Sequence, residues 1–271
     1  MLKHAIQLAE KLADVSGDII CQSFRQPYLQ AETKNNEVSS IVTIVDQKAE
    51  AAMVELISLE APQDGIIREE GENISSKSGL YWVLDPIDGT AAFAKGFPIF
   101  GTLIGLVDLN KNTTILGILN QPILKERWLG IIGEATRLNH QPLINVYAKE
   151  TNNQLKDACL TSTTPLMFIT ERQKAIATQL QQVCKRTAFG GDCYNYVSLA
   201  SGWSAMPMVI LESDLKYYDF CALIPIIEGT GGVITDWQGK PLNATSTEIL
   251  AASNPVLHQQ ALAVIQSTNL Q

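Results

Sequence analysis

Leu80-Tyr81-Trp82-Val83-Leu84-Asp85-Pro86-Ile87-Asp88-Gly89-Thr90 is the stretch on which the fold and the chemistry of this chain turn. Leu80 to Leu84 predict a buried strand, because the run is large and apolar and a turn signal follows at once. Pro86 fixes its own φ and lacks a backbone donor, while Gly89 permits close approach of the main chain. The strand is therefore expected to stop at Leu84, and a tight turn to hold Asp85 and Asp88 side by side. Two carboxylates forced together repel each other unless something cationic sits between them. A hard divalent cation with oxygen ligands answers that need, and the Ile87 carbonyl between the two acids supplies a further oxygen. The same residues also suit an Asx-type turn that merely closes a strand. By itself this stretch leaves both open.

Composition narrows the choice. The 271 residues are 46 % hydrophobic and 18 % charged, ordinary values for one large or two modest globular domains. The formal net charge of −8 is not gathered into any long block, so neither nucleic acid nor an anionic membrane is expected as a partner. An acidic protein that handles an anionic substrate must carry cations at its site, which favours bound metal over a basic pocket. The five cysteines, Cys21, Cys159, Cys184, Cys193 and Cys221, form no C-x-x-C pair, which argues against a disulfide framework or a structural zinc site. Charged residues interrupt Met1 to Ile20, so no signal-peptide core is present, and no apolar run reaches the length of a membrane span. These features describe a reduced, soluble, cytoplasmic protein.

Outward from the central stretch, Leu2, Ile6, Ala9, Leu12 and Ala13 share one face of a predicted helix over residues 1–25. Gln30 to Ser40 reads as a polar loop, and a helix from near Asp46 runs to about Leu59. Asp46 in its first turn suits the helix dipole with or without a catalytic role. Gly65 to Arg68 predicts a short strand that delivers Glu69 and Glu70 to its end. Phe100–Val107, Thr113–Leu119 and Arg127–Ile132 predict antiparallel strands, the first two joined by a turn at Asn110-Lys111-Asn112. From about Tyr147 the pattern becomes an alternation: strands at Ala158–Leu160 and Met206–Leu211 and near Val233 and Ile249, with helices within Glu171–Cys184 and at Cys193–Ala200, Phe220–Glu228 and Pro255–Ile265. Residues 1–146 are thus expected to form an N-terminal α+β subdomain and 147–271 a C-terminal α/β subdomain, with the site in the cleft between layers.

Several motifs resemble one family. Trp82 to Thr90 followed by Phe93, Gly96 and Pro98 is similar to the W-x-x-D-P-x-D-G-T-x-x-F-x-x-G-x-P signature of the inositol monophosphatase family. Arg68-Glu69-Glu70 resembles that family's acidic pair, with Arg where Gly is usual. Tyr218-Asp219-Phe220-Cys221-Ala222 followed by Glu228-Gly229-Thr230-Gly231-Gly232 resembles W-D-x-x-A and its glycine-rich partner, with Tyr in place of Trp. Ile41 to Asp46 matches part of the D-x-V-T-x-x-D element, whose first acid is replaced by Ser39 or Ser40, and in the family the preceding loop around Lys34, Asn35 and Asn36 lies near the metals. The resemblance implies alternating layers of helices and sheets, an α/β (α+β layered) α-β-α-β-α sandwich, and a Mg²⁺-dependent phosphomonoesterase that forms a homodimer. It implies two or three ions: one at Glu69, Asp85 and the Ile87 carbonyl, another at Asp85, Asp88 and Asp219, and a weaker third at Glu69. Mn²⁺ is implied as a substitute and Li⁺ as an inhibitor. Thr90 and Asp46 would orient the water held near Glu69, with Ile87, Asp88, Gly89, Thr90 and Asp219 lining the substrate's phosphate side.

Gln121 to Gly130, Gly190 to Tyr194 and Leu215 to Asp219 look most like the histidinol-phosphate phosphatase branch. By the same resemblance Glu212 lies at the position that contacts the substrate's hydroxyl, and Asp192 stands where inositol-handling relatives tend to have a small residue. An additional carboxylate there is costly beside a neutral polyol and favourable beside an ammonium or imidazolium. Asp192 also suits a plain helix N-cap. The alternatives are an inositol or broader sugar-phosphate phosphatase, and a binding protein that keeps the fold without turnover. His4, His140 and His258 lie outside every motif, Cys193 has no partnered His, and no phosphate-binding P-loop is present, which removes His-based and thiol-based hydrolysis.

Overall fold

A computed structural model of the chain describes residues 2–26, 31–33 and 41–268. Of the loop expected over Gln30 to Ser40, Ala31–Thr33 form a strand instead, and the part around Lys34, Asn35 and Asn36, with Ser39 and Ser40, lies outside the described residues. Helix α1 (Leu2–Ser23) and the two-stranded ribbon of β1 (Ala31–Thr33) and β2 (Ile41–Thr43) lead into α2 (Ile44–Glu60). A seven-stranded sheet follows in chain order: β3 (Gly65–Arg68), β4 (Leu80–Asp88), β5 (Gly101–Asp108), β6 (Thr113–Gln121), β7 (Glu126–Ile131), β8 (Arg137–Leu138) and β9 (Gln141–Pro142). Only β3 and β4 pair in parallel; the rest is antiparallel. The short helix α3 (Thr90–Ala94) follows β4.

The remaining strands, β10 (Cys159–Ser162), β11 (Arg186–Phe189), β12 (Met208–Glu212), β13 (Val233–Thr235) and β14 (Ile249–Ala252), form a second sheet in the order β11-β10-β12-β14-β13. Its helices are α4 (Glu171–Val183), α5 (Asp192–Ser201), α6 (Tyr217–Phe220), α7 (Leu223–Glu228) and α8 (Pro255–Ser267).

Alternation along the strands sorts the apolar residues into layers. Trp82, Leu84, Ile104, Leu106, Ile118 and Leu129 face α1 and α2. Val83, Leu103, Val107, Leu119 and Trp128 face the opposite way, onto α5, α6 and α7, whose far side meets Ile210, Ile234, Ile249 and Ala251 of the second sheet. The other face of that sheet packs on Ile176 and Leu180 of α4 and on Leu257, Ala261 and Ile265 of α8. The order is helix, sheet, helix, sheet, helix, the α-β-α-β-α sandwich expected from the sequence. No helix among the described residues is long and apolar enough to cross a membrane.

Three further local expectations are corrected. Strand β4 does not stop at Leu84 but runs to Asp88, with its pairing to β5 shifted between Asp85 and Asp88. The ladder accommodates Pro86 by a bulge, and the Pro86 carbonyl turns to accept the Thr102 hydroxyl at 2.9 Å. The helix expected over Phe220–Glu228 begins at Tyr217 and is divided at Cys221-Ala222, so Asp219 sits inside α6 and does not open a longer helix. Strand β11 was not expected: its Arg-Thr-Ala-Phe sequence is exposed throughout, so the apolar signal that marks a buried strand is missing.

Candidate metal centre

The ends of β3, β4 and β12 and the starts of α5 and α6 converge on a cleft of about 660 Å³. Its lining includes Glu69, Asp85, Ile87, Asp88, Gly89, Thr90, Asp192, Glu212 and Asp219, which the sequence singled out on separate segments. Asp46 lies just behind: it is fully buried in the first turn of α2 and accepts the Thr90 hydroxyl at 3.1 Å.

The β4 bulge turns both acids of Asp-Pro-Ile-Asp toward the cleft. Gly89, with φ of 88°, ends the strand in the left-handed region and starts α3, and a Cβ there would press on Phe100 at 3.1 Å. Oxygens of Asp85, Asp88 and Asp219 all lie within 4.8 Å of one another. Glu69 does not belong to that trio but stands against Asp85, and after burial its charge helps to push the Asp85 carboxyl above its ordinary range. Asp85 is 2 % exposed, and its Oδ1 has no hydrogen-bond partner among the described residues. Asp88 accepts the Cys193 N–H at 2.5 Å, and Asp219 accepts the Lys216 N–H at 2.6 Å. Burial first, and then the neighbouring acids, push Asp85 and Asp88 well above the usual carboxylate range; burial pushes Asp219 up to about 8. An acid trio with one member buried, two half-buried and an orphaned oxygen on the buried one suits a divalent cation with oxygen ligands. The Ile87 carbonyl, which takes the Thr90 hydroxyl at 2.9 Å, faces the same space.

Asp219 reaches this trio because of a row of glycines. Gly105, Gly117 and Gly130 are register partners across β5, β6 and β7 and face α6 and α7. A Cβ at Gly105 would lie 2.7 Å from Cys221 Sγ; at Gly117 it would fall on the Ala222 carbonyl, and at Gly130 on the backbone of Ile226. The helix backbone therefore rests directly on the sheet, with no side chain between. Gly117→Ala is expected to destabilise the protein by about 3 kcal/mol, the upper end of ordinary overpacking, and to weaken divalent-cation binding by displacing Asp219. Denaturant unfolding together with cation titration checks this; an unchanged midpoint would show that the helix can lift without cost.

The distal half of the cleft carries three more acids, of which Asp214 pairs with Lys216 at 3.8 Å. Glu212, 2 % exposed at the end of β12, accepts the Tyr196 hydroxyl at 2.7 Å, the Thr163 N–H at 2.9 Å and the Thr163 hydroxyl at 2.5 Å. Asp192 is the first residue of α5 and not its N-cap, which is Gly191; its φ of 43° lies in the left-handed region, directly after Gly190 and Gly191 at 89° and 108°. Burial pushes its carboxyl up to about 6. Tyr196, Thr163, Met167, Asp214 and Lys216 also line the cleft and were not singled out in the sequence. Tyr196, one turn after Asp192 on α5, carried the only signal: a polar atom within an otherwise apolar helix face.

A layered fold with clustered carboxylates at strand ends defines a class of metal-dependent phosphatases. The inositol monophosphatase family model matches residues 1–270, and the chain belongs to that family. Among curated relatives it is 43 % identical over 265 residues to the bifunctional phosphatase IMPL2, chloroplastic, of Arabidopsis thaliana, covering 94 % of this chain and 73 % of that protein. It is 28 % identical over 267 residues to a histidinol-phosphatase of Chlorobaculum parvum, covering 96 % of each. Among solved structures, an inositol monophosphatase from Zymomonas mobilis superposes with a TM-score of 0.83 at 38 % identity, over 97 % of this chain and 98 % of the other.

Proposed function

We propose that the chain is a Mg²⁺-dependent phosphomonoesterase whose preferred substrate carries a cationic group beyond the phosphate, histidinol phosphate being the best fit. The observation that carries this reading is the pair Asp192 and Glu212, two acids placed in the cleft beyond the four nearest the phosphate side and beyond Asp214, which pairs with Lys216. Asp192 keeps a carboxylate in a left-handed backbone position that Gly would occupy without strain. A site for a neutral polyol has no use for that charge; an ammonium or imidazolium forms charge-assisted hydrogen bonds with it.

Glu69, Asp85, Asp88, Asp219 and the Ile87 carbonyl would hold the cations. When bound, divalent cations polarise phosphoryl oxygens and lower the pKa of a bound water. The Thr90 hydroxyl, 3.1 Å from its acceptor Asp46 Oδ1, would orient the attacking water, and Asp46 would hold the proton that the hydroxyl passes on. The Gly89 and Thr90 N–H groups meet the phosphate. The split into residues 1–146 and 147–271 fits this division of labour, the first part carrying most cation ligands and the second the distal acids.

Release of phosphate from histidinol phosphate and from inositol 1-phosphate, each with Mg²⁺ and with chelator, tests the reading. A clear preference for histidinol phosphate is expected; preference for inositol 1-phosphate would establish the polyol alternative, favoured by the Zymomonas mobilis likeness, and no release from either or from p-nitrophenyl phosphate would leave a binding protein. Asp192→Asn keeps the shape and the tolerance for a left-handed backbone but removes the charge. It is expected to lower kcat/KM for histidinol phosphate by about ten- to a hundredfold, the worth of one charge-assisted hydrogen bond at about 1.5–3 kcal/mol. For p-nitrophenyl phosphate the loss should be far smaller. Equal losses on both substrates would mean that Asp192 supports the fold or the cation site instead.

A further inference from the structure

Two buried acids stand one turn apart on α2. Asp46 meets Thr90; the other, Glu50, is 3 % exposed and faces the end of β3. Glu50 Oε2 accepts the Glu70 N–H at 2.8 Å, and the Glu69 N–H is directed at the same carboxylate. Its Oε1 lies 3.8 Å from Arg68 Nε, the residue that replaces the family's usual Gly. Arg68 in turn donates from Nε to the Glu72 carbonyl at 2.6 Å and from its N–H to Asn73 Oδ1 at 3.1 Å. The guanidinium lies across Gly71, where a Cβ would come within 2.5 Å of Arg68 Cζ. The backbone that presents Glu69 is therefore fixed from below by a carboxylate on a different element, and the charge of that carboxylate is balanced on its outer side by Arg68.

We infer that Glu50, with Arg68 as its counter-ion, is the positioning residue of Glu69 and sets the affinity of the cation site through it. The inference rests on Glu69 being a cation ligand. Removing the anchor frees the β3 end to drift from Asp85 and leaves the half-buried Glu70 N–H without this acceptor. Removing Arg68 leaves the Glu50 charge uncompensated beside acids that are already crowded. Because the effect acts on cation binding and not on the reacting groups, turnover at saturating cation should survive.

The test is calorimetric titration of the full chain with Mg²⁺ and with Mn²⁺, without substrate, alongside kcat at rising Mg²⁺ and the melting temperature of the chelated protein. Glu50→Ala is expected to raise the cation Kd about ten- to a hundredfold, the usual cost of losing such a support, while kcat at saturating Mg²⁺ stays within about threefold. Glu50→Gln keeps one oxygen for the Glu70 N–H but loses the pairing with Arg68, and is expected to raise Kd about threefold; it carries the test should Glu50→Ala fail to fold. A Kd equal to that of the unaltered protein in a folded variant overturns the inference, as does a fall in kcat at unchanged Kd. If the unaltered protein binds neither cation, it is the functional reading that fails, and the two failures are told apart by that first titration.

Discussion

Asp85→Asn is expected to reduce phosphomonoester turnover by at least about a thousandfold while raising the melting temperature of the chelated protein. The loss would follow from removing a ligand of the proposed cation site, where a bound cation would stabilise developing charge by several kcal/mol at about 1.4 kcal/mol per decade. The gain follows from electrostatics without the cation. Asp85 is buried beside Glu69, Asp88 and Asp219, and its Oδ1 lacks a partner among the described residues. Carboxyls whose folded pKa lies above the unfolded value bind extra protons in the folded state. They stabilise it fully below the unfolded pKa, and that contribution is lost as pH rises through the folded one. For Asp219 the window runs from about 3.8 to about 8. The chelated protein should therefore melt progressively lower from about pH 5 to about pH 8, Mg²⁺ should restore the lost stability, and Asp85→Asn should flatten the slope. Calorimetry at several pH values, with and without Mg²⁺, checks all three. A melting temperature that falls in Asp85→Asn at pH 8 would mark Asp85 as part of a structural turn, and full turnover after exhaustive chelation would remove the cation from the chemistry.

Thr90→Val should lower kcat about a hundred- to ten-thousandfold, the usual range for a positioned acid–base group, with cation affinity nearly unchanged. Valine keeps the volume at the start of α3 and removes the hydroxyl that joins the Ile87 carbonyl to Asp46. Thr90→Ser restores the hydroxyl and should recover most of the rate. The separation matters: loss of kcat without loss of cation binding distinguishes proton handling from ligand loss, which Asp85→Asn tests. A Thr90→Val enzyme within threefold of the original rate would leave the water to be activated without this pair.

Much of the site could be read from the chain because its residues are chemically unusual where they stand. Acids at the ends of apolar strands are conspicuous, and Glu69, Asp85, Asp88 and Asp219 do reach one cleft. The means by which they reach it was harder to see. Asp85 and Asp88 are brought together by a bulge within a continuing strand, and a Pro reads as a stop because its missing N–H is local while the strand partner that tolerates the gap is not. The glycines under α6 and α7 are unremarkable singly; their alignment depends on strand register, which one sequence does not display. Glu50 was passed over because an acid four residues after Asp46 on a helix looks like any solvated position until β3 is laid over it. Arg68, which looked like a departure from the family pattern, finds its reason in the same contact.

The middle helical layer bears on cooperativity. Helices α5, α6 and α7 are the apolar floor of both sheets at once: Val83 and Trp128 reach them from one side, Ile210 and Ile249 from the other. Neither sheet can shed that layer without exposing a face too large to stay in water, so an opening at one sheet costs the other its cover as well. Partial unfolding that spares the cation trio has little room in such a molecule. Excursions able to release Asp219 are close in free energy to loss of the whole structure, and amide protons along α7 should exchange at a rate set by global unfolding.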